Sequence, residues 1–363
     1  MANKTARLGD LATYINGYAF KPADWGETGL PIIRIQDLTG NSYQLNRYDG
    51  EYPERIEVND GDVLISWSAS LGVYVWQRGK ALLNQHIFKV VFDKLPVNKD
   101  YFVFAVEHKL AEMESKTHGA TMKHIVKKDF DGTTIPYPPI EKQAEIADHL
   151  RRITSLIDRQ TEQLLLLDQL VKSRFIELFG DPLSNDKGWK KVVIAEVCHA
   201  IFGGGTPSKS HPEYFAGSIP WVSPKDMKSS VINDSIDHIT EEAIAHSTTN
   251  LVPANSVLMV IRSGILKHSL PVAINSLPVT INQDMKAFVP NETVKTAFLM
   301  HFFKAIENDV LAGVRGVTAD NIDFKAFQKR TIIVPPLALQ EQFAAFVEQT
   351  DKSKLCGRME VAA

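Results

Sequence analysis

Cysteine is scarce in this chain, and long apolar runs are absent. Only Cys198 and Cys356 occur among 363 residues, too few for a disulfide scaffold or for a zinc site of four thiolates. The longest apolar runs, such as residues 257–261, fall far short of the roughly 20 residues that a membrane-spanning helix needs. No apolar signal segment follows the polar start at residues 1–7. We therefore expect a soluble, cytoplasmic protein without a membrane segment.

Positive charge is not in excess. The chain carries 40 Lys and Arg residues against 43 Asp and Glu residues, which gives a net charge of −3 and a pI near 6.4. A protein that held nucleic acid by bulk charge would be basic, so this balance counts mildly against that function. It does not exclude it, because binding needs only a locally basic face. At 363 residues the chain is long enough for two domains and a connector.

The motifs of common catalytic sites are missing or incomplete. Residues 203–210 are close to a phosphate-binding P-loop, but a P-loop needs Gly before its Lys and a helix directly afterwards. Here Ser208 precedes Lys209, and Pro212 follows shortly. Residues 136–139, Pro-Tyr-Pro-Pro, lack the leading Asn or Asp of an adenine methyltransferase, and no Gly-x-Ser-x-Gly elbow or metal-binding motif occurs. We expect no catalytic site, metal or cofactor in this chain, although a dispersed Ser-His-Asp arrangement stays open at this point.

The most informative feature is an internal duplication with a period near 197 residues. Pro-Pro-Ile-Glu-Lys-Gln at 138–143 recurs as Pro-Pro-Leu-Ala-Leu-Gln at 335–340, each passage forming a stiff entry into a helix. Further matches keep their order along the chain: Gly119, Thr121 and Ile125 with Gly316, Thr318 and Ile322; Asn84-Gln85-His86 with Asn282-Gln283-Asp284; Val63-Leu64 with Val257-Leu258; Pro31 and Asp37 with Pro220 and Asp226; and Gly17 with Gly203. Since chance matches would not stay in order, the chain contains two related domains.

Each domain combines strands with a late helix. Segments rich in β-branched and aromatic residues predict strands at 31–35, 63–67, 73–76 and 87–92, and again at 218–222, 257–261, 270–273 and 286–289. Helical spacing predicts helices at 101–113 and near 296–311. The predicted fold class is α+β.

A long helix is predicted at 141–179, a stretch without Gly or Pro that would span roughly 58 Å. Two heptad positions carry its apolar residues, namely Leu150, Ile157, Leu164, Val171 and Leu178 on one and Ile146, Ile153 and Leu167 on the other. Gly180 and Pro182 end the helix. We favour a spacer that pairs with a shorter second helix, which begins near Leu339 and uses Phe343, Phe346 and Val347 as its seam. The alternative is a surface helix packed on one domain.

Polar clusters occupy matching places in the two domains. Asn, Gln, Arg and Ser side chains pair with base edges in DNA, whereas Lys commonly neutralises phosphate. The candidate DNA-binding residues are Ser66, Trp67, Ser68, Asn84, Gln85, His86, Lys123, His124 and Lys127 in the first domain, and Thr206, Ser208, Lys209, Arg262, Ser263, Lys267, His268, Asn282, Gln283 and Arg315 in the second. Each cluster alone is explained equally well as a turn or a solvated face. Recurrence with different residues favours two readers of different sequences.

On these features the chain resembles the specificity subunit of type I restriction-modification enzymes. The resemblance covers nearly the whole length and rests on the Gly-x-Thr-x-x-x-Ile…Pro-Pro-x-x-x-Gln passages at 119–143 and 316–340, on residues 171–182 at the helix end, and on the opening Leu8-Gly9-Asp10-Leu11 with Gly17. It implies two target-recognition domains at 1–139 and 181–336, a spacer helix at 140–180 and a short second helix with a tail at 337–363. The implied architecture is α+β, with long helices in an antiparallel coiled coil and pseudo-twofold symmetry.

The resemblance also implies partners. Each domain would read one half of a split site in double-stranded DNA, and the helices would bind two methyltransferase subunits, with restriction subunits in the full complex. S-adenosylmethionine, ATP and Mg²⁺ would belong to those partner subunits. Two alternatives remain at this point: a self-sufficient restriction-methylation enzyme, which would need several hundred more residues, and a methyltransferase scaffold that binds no DNA.

Overall fold

The chain divides into two compact units, residues 1–157 and 158–363. The computed structural model describes residues 4–40, 45–116, 127–314 and 320–362. Both units mix helices with short strands, so the predicted α+β class is confirmed. Across the described ranges, no helix is long and apolar enough to cross a membrane.

The described residues of the first unit form ten strands and the first part of a long helix. In chain order its elements are β1 (Thr5–Arg7), α1 (Leu8–Leu11), β2 (Thr13–Asn16), β3 (Leu30–Ile33), α2 (Ile35–Leu38), β4 (Arg47–Tyr48), β5 (Glu57–Val58), β6 (Val63–Ser66), β7 (Gly72–Val75), β8 (Ala81–Leu83), β9 (Ile87–Val91), α3 (Lys99–Lys116), α4 (Lys127–Gly132), β10 (Thr134–Pro136) and α5 (Ile140–Phe179), which continues into the second unit.

Two four-stranded sheets form the core of the first unit. One has the order β2-β9-β6-β7 and is antiparallel throughout; the other has the order β4-β3-β8-β5, with β3 and β8 parallel. The β6 residues Val63, Leu64 and Ile65 are all buried, because one face of the strand meets the α3 side and the other meets the second sheet. β1 pairs with β10, so the two ends of the repeat lie together.

The second unit repeats this plan. Its elements are β11 (Lys190–Val193), β12 (Cys198–Gly203), β13 (Ile219–Val222), β14 (Val231–Ile232), β15 (His238–Ile239), α6 (Glu241–Ala245), β16 (Val257–Val260), β17 (Val272–Asn275), β18 (Thr280–Ile281), β19 (Met285–Pro290), α7 (Thr296–Ala305), α8 (Glu307–Ala312), α9 (Phe324–Phe327), β20 (Thr331–Val334) and α10 (Leu337–Ala362).

Among the described residues, the sheets of the second unit follow the same plan but divide their strands differently, with five and three strands where the first unit has four and four. The main sheet has the order β12-β19-β16-β17-β14, a smaller one has the order β15-β13-β18, and β11 pairs with β20. The duplicated Pro31 and Pro220 lie in β3 and β13. The duplicated Asp37 and Asp226 each accept a backbone N–H bond of 2.8 Å, from Arg34 and from Ser223. The repeat detected in the sequence is therefore a repeat of hydrogen bonds.

The duplicated Gln143 and Gln340 lock each repeat to the helix that follows it. Both side chains are fully buried. Gln143 Oε1 accepts the Asn98 N–H at 3.0 Å and its Nε2 donates to Pro138 O at 2.8 Å. Gln340 Oε1 accepts the Lys295 N–H at 2.8 Å and its Nε2 donates to Pro335 O at 2.8 Å. One amide thus joins the start of α3 or α7 to the start of α5 or α10.

Within the second unit, the end of α5 and the start of α10 pack antiparallel. Phe343 of α10 meets Phe175 of α5 at a ring-centroid distance of 5.5 Å, and further along Lys354 Nζ lies 2.8 Å from Asp168 Oδ1. The predicted seam residues Val171, Phe343 and Val347 are buried. In the first unit, by contrast, Ile153 and Ile157 of α5 are 53% and 44% exposed. Of the predicted heptad positions of α5, Val171 is therefore buried, Ile153 and Ile157 are exposed, and the others are half-buried.

The structure corrects several predicted element boundaries. The strand expected at 31–35 ends at Ile33, and Ile35 begins α2. The strand expected at 270–273 runs from Val272 to Asn275, because Pro271 has no N–H to donate. The helix expected near 296–311 divides into α7 and α8 at Ile306. The final helix has 26 residues against 40 in α5, so it is shorter than α5 as expected, but it extends to Ala362 through the segment that we expected to be a tail. Within its polar stretch the Thr350 hydroxyl donates to Phe346 O at 2.9 Å, and Lys354 pairs with Asp168 of α5.

Candidate nucleic-acid interface

In each repeat, three loops emerge at one edge of the main sheet. In the first repeat β2 ends, β6 ends and β9 begins at this edge, because Asn16 pairs with Phe88 and Ser66 pairs with Ile87. We call it the first loop edge, formed by residues 17–18, 67–71 and 84–86. The second loop edge, formed by residues 204–206, 261–271 and 282–284, has the same pairing of Gly203 with Lys286 and of Val260 with Met285. Candidate residues far apart in sequence thus meet at one edge.

A glycine in each repeat permits two of these loops to touch. A Cβ on Gly17 would lie 2.0 Å from Asn84 O, and a Cβ on Gly204 would lie 1.8 Å from Asn282 O. Gly17 therefore corresponds to Gly204, and its expected match with Gly203 was wrong by one residue. The close approach lets Gln85 N–H donate to Tyr18 O at 2.9 Å. No other residue type would allow this contact, because any Cβ would overlap the opposing carbonyl.

The serines of the first loop edge face inward. Ser66 is fully buried and its hydroxyl donates to Ser70 O, while Ser68 is 7% exposed. These serines therefore brace the turn between β6 and β7, in which Ala69 adopts the left-handed φ of 60°. Gln85, at the neighbouring loop, is exposed and its N–H donates to Asn84 Oδ1 at 2.9 Å.

An aromatic cluster supports the other candidates of the first loop edge. Trp67 stacks on Phe88 with ring centroids 5.5 Å apart and meets the His86 ring edge-on at 5.0 Å. His86 has the left-handed φ of 71° that turns the chain into β9. Lys127 Nζ lies over the Phe88 and Tyr14 rings at 5.5 and 5.6 Å. Burial, with Asp131 nearby, raises the pKa of Tyr14, whose hydroxyl donates to Leu8 O.

The second loop edge is more polar. Arg262 Nε donates to Asp284 Oδ1 at 2.6 Å, and Asn282 Nδ2 donates to the other carboxylate oxygen at 3.3 Å. The exposed Thr206 hydroxyl donates to Gln283 Oε1. With Nε engaged, the Nη groups of Arg262 remain as the fork that pairs with two acceptors on a base. Asn282 is 7% exposed, so it positions Asp284 rather than presenting its amide outward.

Five further candidates lie on either side of this network. Ser263 N–H donates to Asp320 O at 3.1 Å, Lys267 Nζ lies 3.9 Å from Asp320 Oδ2, and His268 is exposed at the end of the same turn. Ser208 and Lys209 are exposed on the loop after Thr206, where Ser208 Oγ lies 2.7 Å from Ser210 Oγ. No α-helix follows this glycine-rich loop, so it lacks the geometry of a P-loop.

Three candidates, Lys123, His124 and Arg315, lie outside the described residues, as do Gly119, Thr121, Gly316 and Thr318 of the repeated passage. Among the residues that are described, no group of three or more His, Cys, Asp or Glu side chains is placed to hold a metal ion.

The sequence reasoning missed Lys286 and Phe324. Lys286 Nζ lies 4.9 Å from the centroid of the Phe324 ring, beside the second loop edge. Lys286 lies inside a predicted strand, and a single lysine in a strand is not a pattern that indicates a binding site. Alignment of the repeats at offsets of 198 and 197 supplies the signal, because it sets Lys286 against Phe88 and Phe324 against Lys127.

Comparison with solved structures identifies the class of fold. The type I restriction-modification S subunit from M. genitalium superposes with a TM-score of 0.62 at 13% identity, covering 99% of this chain and 92% of that one. A chain from a study of complex assembly and conformational transition in the type I R-M system gives a TM-score of 0.56 at 17% identity, with 99% and 93% covered. The two-repeat fold is thus that of S subunits.

Sequence comparison identifies the family. The family described as "Type I restriction modification DNA specificity domain" matches residues 2–167 and 186–356, and this chain belongs to it. The MjaIX specificity subunit of Methanocaldococcus jannaschii is 31% identical over 353 residues, which cover 89% of this chain and 80% of that protein. The EcoR124I/EcoR124II specificity subunit of Escherichia coli is 36% identical over 222 residues, 60% of this chain. The chain spans about half of that subunit's length, 53%.

Proposed function

We propose that this chain is the DNA-specificity subunit of a type I restriction-modification complex. Each repeat reads one half of a bipartite site in double-stranded DNA, and the long helices bind two methyltransferase subunits. The observation that carries the proposal is that the two loop edges share one backbone frame and present different side chains. His86 at the first edge stands where Asp284, the partner of Arg262, stands at the second. Such a frame suits two readers of different base sequences.

The proposed subunit carries out no chemistry itself. The described side chains of the second edge support this, because they pair with one another, as Arg262 does with Asp284 and Thr206 does with Gln283. Methyl transfer from S-adenosylmethionine and cleavage driven by ATP and Mg²⁺ belong to the methyltransferase and restriction subunits in this proposal. DNA binding by the isolated subunit is expected to be weak, because its net charge of −3 supplies little phosphate attraction.

The test uses Arg262 in the full chain bound to its methyltransferase. Arg262→Ala should lower affinity for the cognate site by about ten-fold to a hundred-fold, as loss of a bidentate base contact costs about 1–3 kcal/mol. Arg262→Lys is the matched control, because it keeps the charge and loses the fork. Both variants should relax only one half-site in methylome sequencing. Unchanged affinity and methylation in both variants would contradict the assignment of Arg262.

The alternative functions are separated by two further measurements. Methyl transfer by the purified chain without partners would identify an enzyme. In a gel-shift assay with the methyltransferase present, failure to retard DNA would identify a scaffold. We expect neither result.

A further inference from the structure

In the first repeat an ammonium group is held over an aromatic ring beside the loop edge. Lys127, the first residue of α4, places Nζ 5.5 Å from the centroid of Phe88, the second residue of β9. β9 begins directly after the loop 84–86, so this charge lies next to the candidate base-reading residues. The Lys127 side chain is 56% exposed, and the ammonium remains accessible to a ligand.

The second repeat has the same arrangement with the two residues exchanged. Lys286, the second residue of β19, places Nζ 4.9 Å from the ring of Phe324, the first residue of α9. Strand register establishes the equivalence, because Phe88 pairs with Ile65 and Asn16 while Lys286 pairs with Met259 and Gly203. The strand supplies the ring in one repeat and the cation in the other.

The surroundings of Lys286 are adapted to its charge. A Cβ on Gly203 would lie 2.9 Å from Lys286 Nζ, so the missing side chain leaves room for the ammonium; the first repeat has Asn16 at this place. Among the described residues no carboxylate lies within salt-bridge distance of Lys286, whereas Lys127 lies 3.2 Å from Asp131. Gln328 replaces that aspartate in the second repeat.

A cleft of about 720 Å³ opens beside Lys286. Its described wall includes Lys325 and Asn321 as further donors and one carboxylate, that of Asp323. Asp323 Oδ1 already accepts the Ala326 N–H at 3.1 Å, as the cap of α9. Lys325 corresponds to Lys128, which also follows the pair in the first repeat. The cleft therefore combines a positive balance with hydrogen-bond donors, which suits an anion.

We propose that Lys127 and Lys286 are equivalent phosphate anchors, each binding one backbone phosphate of DNA beside its loop edge regardless of the bases read there. The inference rests on the proposed function, which supplies the anion. Packing alone does not require a cation here, because an apolar pair would fill the space as well. Retention of one cation and one ring, with their origins exchanged, indicates that the position of the charge is what both repeats need. The aromatic ring contacts one side of the ammonium group and leaves the other N–H donors of that group free to bind phosphate.

The experiment measures DNA affinity of the full chain with its methyltransferase at 50–200 mM salt. Lys286→Met should reduce the slope of log K against log salt by about 0.9, the value of one phosphate contact, so the ratio of variant to wild-type Kd should shrink about three-fold across that range. Half-site sequences in the methylome should stay unchanged. Lys190→Met, which removes an exposed lysine of β11, is the matched control and should leave the slope as it is.

The exchange itself is tested by Lys286→Phe combined with Phe324→Lys, which copies the first repeat. This double variant should recover the wild-type slope, and Lys286→Arg, which retains the charge, should keep it. An unchanged slope in Lys286→Met, or no recovery in a folded double variant, would overturn the inference. Absence of sequence-specific binding by the wild-type complex would instead refute the proposed function and the inference with it.

Discussion

Two buried side-chain amides connect separate segments of this molecule by hydrogen bonds. Gln143 accepts from Asn98 N–H and donates to Pro138 O while fully buried, so it satisfies two backbone groups that water cannot reach. Gln340 does the same for Lys295 and Pro335. A buried polar group without a partner costs far more than a hydrogen bond contributes. The glutamine therefore recurs in both domains because it is needed for folding rather than for binding or catalysis.

Gln143→Ala should lower the free energy of unfolding by about 1–3 kcal/mol, because it leaves a buried donor and acceptor unsatisfied. Urea denaturation of the full chain measures the change. Gln163→Ala, at an exposed position of α5, is the control and should stay within about 0.5 kcal/mol of wild type. Equal stability of the two variants would show that the Gln143 bonds are not needed.

Asp284 positions Arg262 at the second loop edge. Asp284→Asn weakens the 2.6 Å bond to Arg262 Nε and removes one negative charge. We expect weaker discrimination at the second half-site, by a fraction of the about 1–3 kcal/mol that a bidentate contact supplies. Non-specific affinity should be equal or higher, since a repulsive carboxylate is lost. Competition binding with DNA substituted in one half-site measures both; retained discrimination would mean that Arg262 needs no such support.

At the scale of elements, α7 is held between the end of α5 and the start of α10. Phe298 of α7 stacks on Phe175 at 5.7 Å and meets Phe179 edge-on at 4.8 Å. His301, one turn along α7, meets the ring of Phe343 at 5.2 Å. Burial, together with the smaller effect of the neighbouring Lys304, Lys354 and Lys172, lowers the pKa of His301 to about 3. The helix contact is thus built around a neutral imidazole.

His301 makes this contact sensitive to acid. An unfolded histidine has a pKa near 6.5. Below that pH His301 is therefore protonated in the unfolded chain but stays neutral in the folded chain. The stabilisation is complete above about pH 6.5 and is lost as pH falls toward 3, by up to about 1.4 kcal/mol per pH unit. His301→Gln, which does not titrate, should flatten the difference between stability at pH 7 and at pH 5. Urea unfolding at both values measures it, and identical pH dependence in variant and wild type would contradict the burial of a neutral ring.

At the scale of the whole molecule, α5 is one continuous helix of 40 residues that belongs to both units. An insertion that lengthens α5 tests whether the helix sets the distance between the two repeats. An insertion after Phe179 would disturb packing, because the Phe179 side chain is fully buried and its carbonyl accepts the Trp189 Nε1–H at 2.8 Å. Residues 151–159 are exposed, so an insertion after Leu156 leaves the packing within each unit intact.

Four helical residues inserted after Leu156 lengthen α5 by about 6 Å and turn it by about 40°. The length corresponds to one or two base pairs at about 3.4 Å each, and the rotation is compatible with the same number. Both half-sites should persist while the unread spacer grows by one or two base pairs. Methylome sequencing detects this; an active variant with the original spacer would mean that α5 does not set the distance.

The sequence by itself determined the duplication, the α+β class, the long helix and the family. These features follow from the order and periodicity of residues, which can be recognised without the folded structure. The signals are the Pro-Pro-x-x-x-Gln passages, the β-branched segments and the heptad spacing. The family likewise follows from repeated passages, and in the described part of these passages Gln143 and Gln340 make equivalent hydrogen bonds.

Only the tertiary structure decided which polar residues face outward and which cooperate. Ser66 and Asn282 looked like contacts in the sequence but lie inside, because a strand end alternates its faces and a loop turns back on the sheet. Gly204 rather than Gly203 proved to be the counterpart of Gly17, because the approach of two backbones determines the match. The Lys127–Phe88 and Lys286–Phe324 pairs join residues about 38 positions apart, and no local pattern records such contacts. Long-range packing decides them, since only the folded sheets and helices bring these side chains within reach of one another.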